Sequence, residues 1–221
     1  MVGGIEIGEE VGAKKAFAWA LEWPGWCRGA KTVEEAREAL VAYAPRYAPV
    51  VKVAGLALPA ADAAALHVVD RVEGGAGTDF GVPSSITKAD RRRVTGAEAK
   101  RLASLVEAAW TVFDRVAASA PAELRKGPRG GGRDRDKMIG HVIEADHAYA
   151  REIGLRLKEP RLGDRAAIEA ERVAVLDALR SPSDGSPLAD RKWTLRYAAR
   201  RIAWHALDHA WEMEDRSEPE G

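Results

Sequence analysis

The chain has 221 residues, 46% hydrophobic and 31% charged, a globular balance with room for one large domain or two small ones. Lys plus Arg equals Asp plus Glu at 34 each, so a nucleic-acid binder's basic excess is missing, and Arg91-Arg92-Arg93 reads as a solvated boundary. A single cysteine, Cys27, excludes an internal disulfide, no stretch approaches the roughly 20 apolar residues of a membrane span, and the acidic start MVGGIEIGEEVG lacks a signal-peptide layout. A cytoplasmic protein with neither nucleic-acid nor membrane partners is expected.

The first half mixes strand and helix signals. Lys15 to Trp23 (KAFAWALEW) is apolar and aromatic and closes on Pro24-Gly25, as a strand entering a turn does. Thr32 and Glu35 form a capping box. Ala36, Leu40 and Tyr43 continue a helical stripe that Pro45 and Pro49 are expected to stop. Leu66 to Val72 (LHVVDRV) reads as a second strand ended by Gly74-Gly75-Ala76-Gly77. Residues 1–77 are thus expected to form a small α/β module, with 78–94 as a linker.

From Thr95 onward the period is helical. Thr95 and Glu98 make a second capping box, followed by Leu102, Leu105, Ala109, Phe113 and Val116 at spacings of three and four. Pro121 and the run Gly127 to Gly132 interrupt the chain. That run lacks the Walker spacing and a preceding strand, so it reads as a connector, not a phosphate loop. Further helices are expected at about Asp134–Lys158, Asp164–Leu179 and Arg191–Arg216. Four such helices pack naturally as a four-helix bundle over 95–216, leaving 217–221 as a disordered tail; the whole is an α+β protein.

The last helix carries Ala203-Trp-His205-Ala-Leu-Asp-His209-Ala-Trp-Glu212. At roughly 100° per residue, positions four apart differ by about 40°, so His205 and His209 share a face. Leu195, Ala198, Ile202 and Met213 lie on that side, which points the histidines inward. Two neutral imidazoles so placed can ligate one metal ion; the alternative is a pair of core histidines satisfied by hydrogen bonds. Trp204, Leu207 and Trp211 form an opposite apolar strip, expected to cover the N-terminal module or a second copy in a homodimer. On the second helix His141 and His147 differ by about 240°. His141 borders the apolar side of Met138, Val142, Ala145, Tyr149 and Ile153, which makes it the third candidate ligand. His147 is expected at the surface beside Glu144 and Arg151. His67, within a strand, has no evident role.

The pattern Gly140-His141-Val-Ile-Glu-Ala-Asp146, followed by Arg200-Arg-Ile-Ala-Trp-His205-Ala-Leu-Asp-His209-Ala-Trp-Glu-Met-Glu-Asp215, resembles the DinB-like superfamily over about residues 95–216. The resemblance implies a four-helix bundle holding a divalent metal through one histidine of the second helix and an HxxxH pair of the last. His141, His205 and His209 occupy those positions. It also implies relatives among transferases and isomerases that use mycothiol or bacillithiol. The stretch Phe17-Ala-Trp-Ala-Leu-Glu-Trp-Pro24-Gly25-Trp-Cys27, then Gly29-Ala-Lys-Thr32-Val-Glu-Glu35-Ala36, resembles the N-terminal module of HicB-like antitoxins over about residues 15–44. No helix-turn-helix accompanies it, so a small module for packing or association is expected.

Three neutral imidazoles leave a divalent ion its full charge and an open position, as in a catalytic site. Zn²⁺, Ni²⁺ or Fe²⁺ all suit nitrogen ligands. A low-molecular-weight thiol bound there would be deprotonated to a strong nucleophile. Cys27 is expected to be an inert small residue. Glu144, Asp208 and Glu212 can support the ligands from behind, with surface ion pairing as their alternative role. Two functions follow as expectations: a metal- and thiol-dependent transferase or hydrolase acting on a small-molecule substrate, or a non-enzymatic metal-binding module for association or stress response.

Overall fold

In a computed structural model residues 4–127 and 132–217 are described; most of the glycine-rich connector and of the expected tail lie outside them. The protein is α+β, a four-stranded sheet followed by helices. The strands are β1 (Ile5–Val11), β2 (Ala16–Ala20), β3 (Cys27–Ala30) and β4 (Leu66–Glu73), in the order β3-β2-β1-β4. β1 and β3 both run antiparallel to β2, while β4 lies parallel to β1. The helices are α1 (Val33–Ala42), α2 (Ala44–Val53), α3 (Ala76–Phe80), α4 (Gly96–Ser119), α5 (Arg135–Glu152), α6 (Arg165–Leu179) and α7 (Leu195–Ser217).

Both capping boxes form. The Thr32 hydroxyl accepts from the Glu35 amide and the Glu35 carboxylate accepts from the Thr32 amide, and Thr95 and Glu98 do the same ahead of α4. Several boundaries differ from expectation. The strand begun near Lys15 stops at Ala20, because Leu21 to Trp26 turn back into β3. Pro45 does not end helical structure but opens α2, where its missing N–H is in the first turn, and Pro49 follows inside the same helix. α5 ends at Glu152, six residues short of Lys158, where Gly154 at φ +90° reverses the chain and Leu155 N–H closes on the Ala150 carbonyl. α7 starts at Leu195 and includes Ser217, which the sequence had placed in the tail.

The strand missing from the sequence reading is β1. It pairs with both β2 and β4 and so carries the sheet, yet its sequence IEIGEEV holds three glutamates. Two are fully buried and stand on opposite faces. Glu9 is paired with Arg37 of α1 and, at 2.7 Å, with Arg71 of β4. Glu10 accepts from the Thr78 hydroxyl at 2.5 Å and the Ser84 and Ser85 amides at 3.2 and 2.9 Å. Just before them, Gly8 makes room for an indole: a Cβ there would meet the Trp19 ring at 2.5 Å.

The 78–94 stretch is packed, not a free linker. Thr78, Thr87, Ala89 and Asp90 are all buried. One face of the sheet gives Ile5, Ile7, Ala18 and Ala20 to an apolar cluster that continues through Leu40 and Tyr47 into Leu102, Met138, Leu179, Ile202 and Met213. The other face gives Phe17, Trp19, Leu21 and Cys27 to a second cluster completed by Ala89 and Trp204. The strip Trp204, Leu207 and Trp211 packs on the N-terminal half, as expected. Trp204 meets Phe17 edge-on at 6.2 Å and Trp211 meets Tyr43 at 5.2 Å. Gly25, at φ +92° in the β2–β3 turn, lies against Leu207 so closely that a Cβ would come within 2.6 Å of it. Among the later helices, α4 packs on α6 and α7, and α5 packs on the same two. Every residue of α7 from Leu195 to Leu207 is buried, so α7 is an interior helix and not an amphipathic one.

Candidate metal centre

α5 and α7 bring three histidines together. His205 and His209 are one turn apart on α7, with ring centroids 4.7 Å apart, and the His141 ring stands 5.0 Å from each. One ring nitrogen from each residue can be chosen so that all lie within 4.8 Å of one another. The Nε2 atoms of His141 and His205 are 3.3 Å apart. Two nitrogens bound to one tetrahedral ion at about 2.05 Å lie about 3.3 Å apart, so this pair already has ligand spacing. His205 is buried, while His141 and His209 are partly exposed, which leaves the third side approachable.

The electrostatics keep lone pairs free. Burial pushes His205 down to about 2, with His209 and Arg201 adding to the effect. Burial also pushes His141 down to about 4, with His209 and Arg133 acting the same way and Glu212 opposing. Both rings are therefore neutral at pH 7. His209 Nδ1 lies 3.0 Å from Glu212 Oε2, and this contact, with Arg216 at 2.9 Å from the other oxygen, holds the Glu212 carboxyl below its usual range. An ionised carboxylate only accepts, so the hydrogen of this contact sits on His209 Nδ1. His205 Nδ1 is buried with no partner among the described residues. Two neutral imidazoles, one of them with a buried nitrogen that lacks a partner, set beside a third ring fit a cation better than a hydrogen-bonded core.

Of the three carboxylates considered as supports, Glu212 contacts a ligand. Asp208 turns away to Arg28, 3.0 Å from its guanidinium. Glu144 is exposed, on a cleft it shares with Lys158 and Arg161. His147 requires a correction. It is not a surface residue: its Nδ1 lies 2.6 Å from Glu171 Oε2, and both side chains are largely buried between α5 and α6. α5 has neighbours on two sides, α6 and α7, so the side of the helix that carries His147 is covered as well. His67 is exposed on β4, and Cys27 is buried as expected.

Sequence reasoning placed Tyr149 on the apolar side that His141 borders but gave it no role, and it missed Arg201 beside the triad. The Tyr149 ring lies 5.6 Å from His205 and the Arg201 guanidinium 5.3 Å from Tyr149. Arg201 is one turn before His205, a spacing that could have placed it on the same face.

Comparison of the chain with protein-family models, with curated proteins and with solved structures finds no match.

Proposed function

We propose that the chain is a DinB-like divalent-metal-binding protein in which His141, His205 and His209 hold one ion and a low-molecular-weight thiol serves a transfer or hydrolysis reaction. The observation that carries this reading is the convergence of three imidazole nitrogens within 4.8 Å from two separate helices. The pairwise packing of α4, α5, α6 and α7 supports a bundle around that point. The first half then acts as a HicB-like module that covers the outer side of α7.

Zn²⁺, Ni²⁺ or Fe²⁺ in this nitrogen set would lower the pKa of a coordinated water or thiol. The chain's own residues do the rest. Glu212 orients His209 through Nδ1, burial keeps His205 and His141 unprotonated, and Tyr149 closes one side of the site. Cys27 supplies no competing nucleophile, because burial pushes its thiol up to about 12.

Metal analysis of protein purified without an affinity tag should give one ion per chain. His205→Ala should abolish it and His147→Ala should retain it. Equal metal content in wild type and His205→Ala would remove the site. A thiol-conjugation assay on the loaded protein then tests the reaction class.

A further inference from the structure

The buried stretch of α7 contains three arginines, Arg196, Arg200 and Arg201. Two have carboxylates. Arg196 reaches Glu22 at 2.6 Å and Glu98 at 3.2 Å. Arg200 forks onto Asp90 at 2.9 and 2.8 Å and donates to the Ser85 carbonyl at 2.6 Å. Arg201 differs from both. It is 9% exposed, its Nη1 is buried without a partner, and no carboxylate pairs with it among the described residues. The Trp204 and Tyr149 rings flank it, at 4.7 and 5.3 Å from its guanidinium carbon. Aromatic rings engage the flat face of a guanidinium; its N–H donors lie in the plane and stay open.

The unpaired charge sits at the triad. Arg201 precedes His205 by one turn, and both Arg201 and Arg133 act on His205. Arg133 likewise pairs with no carboxylate among the described residues. Glu212, the carboxylate that acts on His141 there, is already engaged by His209 and Arg216. The surroundings of the triad therefore carry surplus positive charge before any cation enters them. A buried charge without a counter-ion is costly, and an incoming anion removes that cost.

We propose that Arg201 is an anion-binding residue of this site, and that the molecule taken up beside the triad carries a carboxylate. A planar carboxylate lies in the plane of the guanidinium fork and accepts two N–H bonds there. Arg133 adds charge at the approach. The proposal rests on the metal reading above for its location, but its charge argument does not need the ion.

The test uses two thiols that differ in one group, 3-mercaptopropionate and 2-mercaptoethanol, titrated into the full-length Co²⁺-loaded protein. The thiolate-to-cobalt absorption band reports binding. Wild type should prefer the carboxylate thiol by about tenfold or more. Arg201→Met should bring that ratio near one while cobalt stoichiometry stays unchanged. A ratio near one in wild type, or an undiminished ratio in Arg201→Met, overturns the proposal. If Arg201→Met does not fold, Arg133→Gln, an exposed substitution, should lower the preference about threefold, and an unchanged preference there counts against it. If wild type takes up no Co²⁺, the metal reading fails, and calorimetry of propionate with the metal-free protein decides the anion claim. Propionate binding that Arg201→Met removes supports it, and no binding to wild type overturns it.

Discussion

Asp146 shows how one side chain can set a pH response. Trp110 Nε1–H donates to its Oδ2 at 2.9 Å, while Oδ1 is buried without a partner among the described residues. Burial pushes this carboxyl up from 3.8 to about 7; Arg172 opposes the shift, and Glu171 and Asp114 add to it. Between those values the folded chain holds a proton that the unfolded chain has released. Stability therefore falls as pH rises from about 4 to about 7, by up to about 4 kcal/mol at 1.36 kcal/mol per unit. Asp146→Asn cannot ionise, so its urea midpoint should change less between pH 4.5 and 7.5 than that of wild type. Equal changes in the two proteins would count against a protonated Asp146. The same argument makes Cys27 inert. With its thiol near 12, the thiolate fraction at pH 8 is on the order of 10⁻⁴. A thiol reagent should find no reactive cysteine in the native protein and one after unfolding in urea. Fast native labelling would mean that the second apolar cluster opens readily.

At the scale of elements, α7 explains why Arg196 and Arg200 are paired with acids. A helix buried all round has no solvent face for a charge, so Arg200 is held by Asp90, itself 1% exposed and hydrogen-bonded to the Thr87 amide and hydroxyl. Arg200→Met strands the Asp90 carboxylate and should cost about 3–5 kcal/mol in urea unfolding. Adding Asp90→Leu should recover part of that loss, because both charges are then gone. If the single variant loses less than about 1 kcal/mol, the pair is not holding α7 in place. The contrast between α7 and β1 also shows what was legible in the sequence. Capping boxes, the i,i+4 histidines and the apolar strip of α7 are local signals, read within one or two turns, as is the apolar border of α5 on which His141 lies. β1 was illegible because Glu9 and Glu10 are buried by partners from far along the chain: Arg37, Arg71, Thr78, Ser84 and Ser85. His147 was misplaced for the same reason, since its acid, Glu171, comes from another helix. Arg201 escaped notice because a helix wheel shows which residues share a face, not which of them lack a counter-charge.

For the whole molecule, the two halves have different grammar but one interior. The cluster that begins at Ile5 and Ile7 in β1 runs without a break to Ala210 and Met213 in α7. The second cluster joins β2 and β3 to Trp204. Trp204 is 5% exposed and Trp211 2% exposed, and the surface that covers them includes Phe17 of β2 and Tyr43. Exposing that much apolar surface opposes any state in which the helices stay folded while the sheet is lost. The protein is therefore expected to open as one cooperative unit. In hydrogen exchange, the slowest amides of β1 and β2 should report the same opening free energy as those of α4 and α7. Trp204→Ala removes a buried aromatic from the junction and should cost about 3–5 kcal/mol, lowering protection in the sheet and in α7 together. If the variant loosens the sheet while α4 and α7 keep their wild-type protection, the halves are separate folding units, and α7 is merely covered by the sheet instead of sharing a core with it.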